Sequence, residues 1–450
     1  MPAASVRFSL RTRCQSRLLT DKIFFDLDTK QITPQELDQQ DPLASYREQF
    51  LFPQHQGAPV GYFTGNSLGL QPRGVRQEVL RELDDWAQQG VEGHTRARKP
   101  WLPYHEFFSA SLARLTGAKA AEVVLMNGLT VNLHLLMVSF YRPQGKRRKI
   151  LCEGKAFPSD QYALRSQLRF HGLDPEENLL EVMPDPETGY LDEDAVVAAI
   201  DQNQDELALV MMGGVNYYSG QWLDMPRITD AGKRAGAVVG WDLAHAIGNV
   251  PLKLHEWGVD FAAWCSYKYL NGGPGATAGA YIHERYHGQE DLPRFEGWWG
   301  HDKDSRFAMP DRFQPIPTAE AWQLSNAPVL SMAPLLASLR LFDEVGMDAL
   351  RQKALHLTQY LAQTLETVRS QTGIALRIIT PQPESQRGCQ LSVVIPEQGR
   401  RIFDYLTAHG VVADWREPDV IRLAPVPLYN NYQDVHDLGQ KMIKAIKENS

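Results

Sequence analysis

Over residues 149–283 short apolar runs alternate with segments of helical spacing. The runs at 150–153, 179–183, 207–212, 237–241, 259–265 and 277–283 have strand length. Between the first four, 159–170, 192–200 and 228–235 repeat apolar residues every three or four positions, the helical period. This alternation predicts an α/β unit with a largely parallel sheet. Upstream, 44–50 reads as a short helix, and 59–70 as an extended segment that turns at Gly65 and Gly69. Val75, Val79, Leu80, Leu83, Trp86 and Ala87 predict an amphipathic helix over 73–89, ended by Gly90. Residues 93–99 read as a loop, and Phe107, Phe108, Leu112 and Leu115 mark a further helix stopped by Gly117. Asn127 is placed to cap an apolar helix over 129–140.

The pattern breaks into Pro-punctuated loop at 315–334 and then changes style. Helices are predicted at 335–345, 348–369, 402–409 and 434–447, and strands at 374–379, 390–395 and 420–424. That is an α+β unit of its own. The chain divides into a large domain over 21–330 and a smaller C-terminal domain over 331–450.

Of the 450 residues 43% are hydrophobic and 22% charged, with a net charge of -8, the composition of an ordinary globular protein. The acidic balance excludes the basic face that nucleic-acid binding requires and points to a small-molecule partner. Cys14, Cys152, Cys265 and Cys389 are far apart with no CxxC pair, which fits reduced thiols in a cytoplasmic protein rather than a zinc cage or disulfide framework. No apolar run approaches the ~18 residues of a membrane span, so no membrane partner is expected. Arg7, Arg11, Arg13 and Arg17 give residues 1–20 the composition of a transit peptide; they are read as a disordered arm.

In open parallel sheets ligands sit at the carboxyl ends of strands, which puts Asp242 and Lys268 on the ligand side. A lone lysine before a glycine loop (Gly272-Gly273-Pro274-Gly275) ordinarily just ends a strand. Asp242, at the preceding strand end, alters that. Such an aspartate often caps the next segment, but it can also sit under a pyridine nitrogen and keep the ring protonated as an electron sink, with the lysine at the ring's other end. His245 would bond that carboxylate or line the ring pocket. Phe157, Ser159 and Asp160 stand at another strand-to-helix turn. The free N–H groups at the helix start near Leu129 and Thr130 suit a phosphate. There is no HExxH and no ligand spacing among the histidines, so no metal is expected; the glycine loop matches neither the P-loop nor the dinucleotide fingerprint.

Together, Asp242, His245 and Ser266-Tyr267-Lys268 resemble the cofactor site of fold-type I pyridoxal-phosphate enzymes. More narrowly, the stretches 63–70 (FTGNSLGL), 242–246 (DLAHA), 264–271 (WCSYKYLN), 297–301 (GWWGH) and 424–430 (APVPLYN) resemble the kynureninase family, in order and over nearly the whole chain. The resemblance implies a mostly parallel seven-stranded-type sheet and a homodimer with shared active sites. Lys268 would carry the Schiff base with pyridoxal 5'-phosphate and Asp242 would pair with its ring nitrogen. His245, Phe157, Ser159 and Asp160 would line the ring, and Leu129, Thr130 and Tyr267 would hold the phosphate, Tyr267 also relaying protons. Trp298 and Asn326 would complete the site from the neighbouring subunit. Arg422 would clamp the substrate carboxylate, and Ser67, His94 and Asn326 would contact substrate. One departure stands out: Gly213 replaces a serine that some relatives place near the cofactor.

The implied reaction is hydrolytic Cβ–Cγ cleavage of kynurenine or 3-hydroxykynurenine to alanine and anthranilate or its 3-hydroxy form, in tryptophan degradation and NAD biosynthesis. The polar His94, Ser325 and Asn326 favour the 3-hydroxy substrate. Two rivals remain on the residues alone: a cysteine desulfurase or class V aminotransferase, the former with Cys389 as nucleophile, and a non-catalytic binding protein of the same fold.

Overall fold

Seven strands build the central sheet. In a computed structural model that describes residues 32–448, they are β1 (Val123–Leu125), β2 (Lys149–Glu153), β3 (Leu179–Val182), β4 (Leu207–Gly213), β5 (Val238–Asp242), β6 (Phe261–Trp264) and β7 (Gly279–Ile282). Their spatial order is β1-β7-β6-β5-β4-β2-β3. The pairs from β6 to β3 are parallel, and only β7 runs against its neighbours. The central strands are apolar in unbroken runs because helices cover both faces, as parallel sheets require.

Helices α1 (Pro34–Gln40), α2 (Val75–Gln89) and α3 (Ser109–Thr116) precede the sheet. Helices α4 (Leu129–Phe140), α5 (Pro158–Phe170), α6 (Glu193–Gln202) and α7 (Met225–Arg234) lie between its strands. Their starts are set locally. Pro158 occupies the first turn of α5, and the side chains of Asp192 and Asp224 cap α6 and α7. Asn127 does not cap α4. It takes φ 50° and bonds Asn132, while Gly128 becomes the cap residue and supplies no side chain. The first N–H groups of α4 therefore have no side-chain acceptor at their cap.

Two further expectations are corrected. Helix α8 (Val329–Val345) begins inside the stretch expected to be loop and carries Pro334 in its second turn; its Met332, Leu335 and Leu339 pack into the core of the first sheet, which outweighs the local break. Helix α2 forms where predicted but buries the opposite face. Leu80, Leu83 and Trp86 are exposed, whereas Glu78, Glu82 and Asp85 are buried. Each buried acid is bonded. Glu78 meets Arg340 at 2.6 Å, Glu82 accepts from the Tyr104 hydroxyl at 2.9 Å, and Asp85 accepts from Arg98 Nε at 2.8 Å. Buried charge is tolerated when paired in this way.

Beyond α8, helix α9 (Met347–Thr372) leads to β8 (Arg377–Ile378), β9 (Leu391–Val394), α10 (Gly399–Ala408), β10 (Asp414–Arg416), β11 (Val420–Leu423) and α11 (Tyr432–Lys447). The four strands form an antiparallel sheet ordered β8-β9-β11-β10. Leu357, Leu361 and Leu365 of α9 and Val435, Leu438 and Met442 of α11 close its core, which also takes in Leu37 and Phe63 from the N-terminal part. No helix among the described residues is long and apolar enough to cross a membrane. The arm expected at residues 1–20 lies outside the described residues.

Candidate active site

Neighbouring strands of the first sheet all deliver chemistry at their carboxyl ends. Glu153 ends β2, Gly213 ends β4 and Asp242 ends β5, with Asp242 in register with both Gly213 and Ala263. Lys268 follows β6 by four residues. Its turn is tied down by backbone bonds: Asn271 N–H to the Lys268 carbonyl at 3.0 Å, Gly272 N–H to Ser266 at 2.8 Å, and Gly69 N–H to Tyr267 at 2.9 Å. Gly69 is needed for that approach, since a Cβ there would stand 2.4 Å from the Lys268 carbonyl oxygen. The stretch 63–70 thus acts as a brace for the lysine turn.

These ends enclose a cleft of about 340 Å³. Leu129, Thr130, Phe157, Ser159, Asp160, Asp242, His245, Tyr267 and Lys268 line it together, nine of the positions expected from sequence. The Lys268 amine lies 2.9 Å from His245 Nε2 and 5.8 Å from the centre of the Phe157 ring. Asp242 Oδ1 accepts from the Ala244 N–H at 2.6 Å. Ser159 reaches only its neighbour Asp160, at 3.5 Å.

Three carboxyls share this space, and burial raises the pKa of each. Glu153 is pushed up to about 7, first by desolvation and further by the charge of Asp242. Asp160 is raised by desolvation and by Asp242, to which it is hydrogen-bonded. Asp242 is raised by desolvation, but the Ala244 N–H, the Lys268 charge and the Asp160 bond all favour its ionised form. The negative charge therefore settles on Asp242, and Asp160 keeps the proton between them. His245 is held neutral by burial and by the positive charges of Lys268, Arg422 and Arg416. With Nε2 accepting from the lysine, the ring proton sits on Nδ1, which is buried with no partner among the described residues. Burial also raises the Tyr267 hydroxyl, so it is a proton donor and not a phenolate at neutral pH.

Five expected residues lie elsewhere. His94, Trp298 and Asn326 do not line the cleft; His94 stands edge-on to Trp101, Trp298 is 48% exposed and bonds the Arg306 carbonyl, and Asn326 is exposed. Ser67 lines a separate cleft with Thr64, Asp414 and Arg416. Arg422 lines neither; it is buried, in a salt bridge with Asp414 at 2.6 Å. Glu153, Val215 and Tyr217 line the cofactor cleft without having been singled out. Glu153 carries the signal that revealed Asp242, an acid closing an apolar strand; Tyr217 lies in a loop and carries none. Cys389 is no desulfurase nucleophile. It is buried, its N–H is fixed to Asn249 at 2.9 Å, and burial pushes its thiol up to about 12.

The cleft fits pyridoxal phosphate. It offers a carboxylate held ionised, a lysine amine, an orphaned imidazole N–H and a helix start with uncapped N–H groups, the set that a phosphorylated pyridine aldehyde needs. With the doubly covered, mostly parallel sheet, this defines a pyridoxal-phosphate enzyme of fold type I. Solved structures agree on the fold: a cystine C–S lyase in complex with cysteine persulfide (17% identical, TM-score 0.72, covering 86% of this chain and 98% of that one) and a cysteine desulfurase from Thermococcus onnurineus (17% identical, TM-score 0.71, 93% and 99%). The model of the kynureninase C-terminal domain matches residues 350–442. Kynureninases of Christiangramia forsetii and Xanthomonas campestris are each 54% identical to this chain, over 91% and 89% of it and 97% and 95% of their own lengths. The chain belongs to the kynureninase family. It is a hydrolase acting on carbon–carbon bonds, with pyridoxal phosphate as its cofactor.

Proposed function

We propose that the enzyme cleaves the Cβ–Cγ bond of kynurenines with a preference for 3-hydroxykynurenine, releasing alanine and 3-hydroxyanthranilate in tryptophan degradation and NAD biosynthesis in the cytoplasm. The observation that carries the chemistry is the pairing of Asp242 and Lys268 at adjacent strand ends of one cleft, in a chain of this family. Bound pyridoxal phosphate supplies a protonated ring that withdraws electrons from the substrate's Cα. Asp242 holds the charge under the ring nitrogen. Leu129 and Thr130 offer backbone N–H and hydroxyl donors to the phosphate. The Lys268 amine takes the Cα proton and later returns it. Neutral His245 accepts a hydrogen bond from that amine without competing for its proton. The Tyr267 hydroxyl donates to the γ-carbonyl oxygen as water adds at that carbon. Arg422 binds the α-carboxylate.

His94, Trp298 and Asn326 lie off the cleft of their own chain, which supports a homodimer in which a second copy brings them to the site. In that arrangement Asn326 and His94, with Ser325, meet the ring hydroxyl. A site built to bond a hydroxyl rejects the substrate lacking it by a large factor. The test is to give the pure holoenzyme both kynurenines, identify the aromatic product, and compare kcat/KM for the two in the wild type and in Asn326→Ala. The expected result is a wild-type preference for the hydroxylated substrate that shrinks at least about tenfold in the variant. An unchanged ratio rejects the assignment of Asn326.

A further inference from the structure

Arg422 meets its partners on two edges only. Asp414 stands directly opposite it across β10 and β11. Nε and Nη2 donate to the two Asp414 oxygens at 3.2 and 2.6 Å, which uses the side edge of the guanidinium. Nη1 donates to the Tyr217 carbonyl at 2.6 Å, and the Tyr217 ring stands edge-on to Phe157, 5.2 Å away in the cofactor cleft. A guanidinium has five N–H groups, so these three bonds leave two. One is on Nη1 and one on Nη2, both available to a further acceptor such as a carboxylate.

The charges lead to the same place. Asp414 also takes Arg416, with Nε at 3.0 Å from Oδ1 and Nη2 donating to Oδ2 at 3.2 Å. One carboxylate is thus shared by two guanidiniums, and the trio keeps one positive charge. Arg422 is 1% exposed, and an unbalanced charge at such a place is costly until an anion arrives. A single further carboxylate restores neutrality. Ser67, Thr64, Asp414 and Arg416 line an open cleft of about 350 Å³ beside the trio, large enough to admit one.

We infer that Asp414 is a positioning residue: it pins the Nε and Nη2 side of Arg422 so that the remaining N–H groups on Nη1 and Nη2 serve the substrate's α-carboxylate, and with Arg416 it sets the trio to accept one such group. This rests on Arg422 as the carboxylate clamp. Asp414 itself touches no reacting atom; it acts through Arg422.

The experiment uses holoenzyme of the wild type, Asp414→Asn, Asp414→Glu and Arg422→Gln. Steady-state kinetics are measured with kynurenine. Binding of its decarboxylated amine is followed through the visible absorbance of the cofactor. Asp414→Asn should raise KM at least about tenfold, because it removes one partner of a buried charge pair, and leave affinity for the amine unchanged. Its kcat should stay within about threefold, since the chemical step is untouched. Asp414→Glu, which restores the charge, should return KM most of the way to the wild type. An unchanged KM in Asp414→Asn, or equal weakening of substrate and amine, overturns the inference. If the Asn variant does not yield folded holoenzyme, Asp414→Glu decides. A modest rise in KM with unchanged amine binding supports the role, and a lowered kcat at constant KM refutes it. Arg422→Gln separates the two ideas. No rise in KM there removes the clamp itself, whereas a rise with normal Asp414→Asn kinetics removes only the positioning role.

Discussion

Glu153 gives the sharpest quantitative test of the site. It ends β2 at 4% exposure, with Asn216 Nδ2 donating to it at 3.0 Å and no cation bonded to it. Its pKa rises from an ordinary 4.5 to about 7, mainly through desolvation. A carboxyl whose folded pKa is raised keeps a proton that the unfolded chain has lost, so folded stability falls as pH climbs from about 4.5 to about 7 and levels off above. That rise corresponds to about 3 kcal/mol in all, most of which falls between pH 5 and pH 8. Glu153→Gln keeps the shape and the bond to Asn216 but cannot ionise. The assay is thermal unfolding of cofactor-free wild type and variant across that range, so that groups common to both cancel in the difference. For a chain of 450 residues the unfolding entropy is roughly 0.9 kcal/mol/K. The variant should therefore gain roughly 3 °C in Tm relative to the wild type on going from pH 5 to pH 8. A difference that is flat with pH would mean that Glu153 is ionised in the folded protein. The distribution of charge with Asp242 ionised and its neighbours protonated would then be wrong.

Two further substitutions address the lysine turn and its neighbour. Tyr267→Phe removes the hydroxyl that burial keeps protonated, and kcat should fall by roughly 10²–10⁴ while cofactor absorbance is retained; a rate near wild type would remove Tyr267 from the proton path. Gly69→Ala places a methyl 2.4 Å from the Lys268 carbonyl oxygen and 2.9 Å from Asn271 Cα, both backbone atoms that cannot swing away. It should cost about 1–3 kcal/mol of stability and weaken cofactor retention, read from Tm and from absorbance after dialysis, and an unchanged protein would show that the brace is dispensable.

Strand ends were the informative positions. The run of apolar residues fixed where β5 and β6 lie, and a charged group breaking such a run can only sit at the strand's mouth, so Asp242 and Lys268 were legible from the chain alone. The same logic applied to Glu153, which carried the same signature. The motif stretches added the family, and Leu129, Thr130, Phe157, Asp160, His245 and Tyr267, which it singles out, line one cleft.

What pairing across long sequence distances decides, local pattern could not supply. Helix α2 has the spacing of an ordinary amphipathic helix, yet its acids are inside because Arg340, Tyr104 and Arg98 come from elsewhere to meet them. The apolar pattern counts transfer from water, and a paired buried charge escapes that count. Pro334 and the loop before α8 misled for a related reason, since packing against the first sheet outweighs one missing backbone bond. The partners of Arg422 are likewise tertiary. Only the antiparallel register of β10 and β11, and the loop carrying Tyr217, show which groups the Arg422 guanidinium meets. The sequence by itself determined the fold class and the placement of Lys268 and Asp242 at neighbouring strand ends, because those depend on the local sign and period of hydrophobicity. The tertiary structure alone decided which carboxyl holds the charge and which groups hold the buried Arg422, because both are set by groups far apart along the chain.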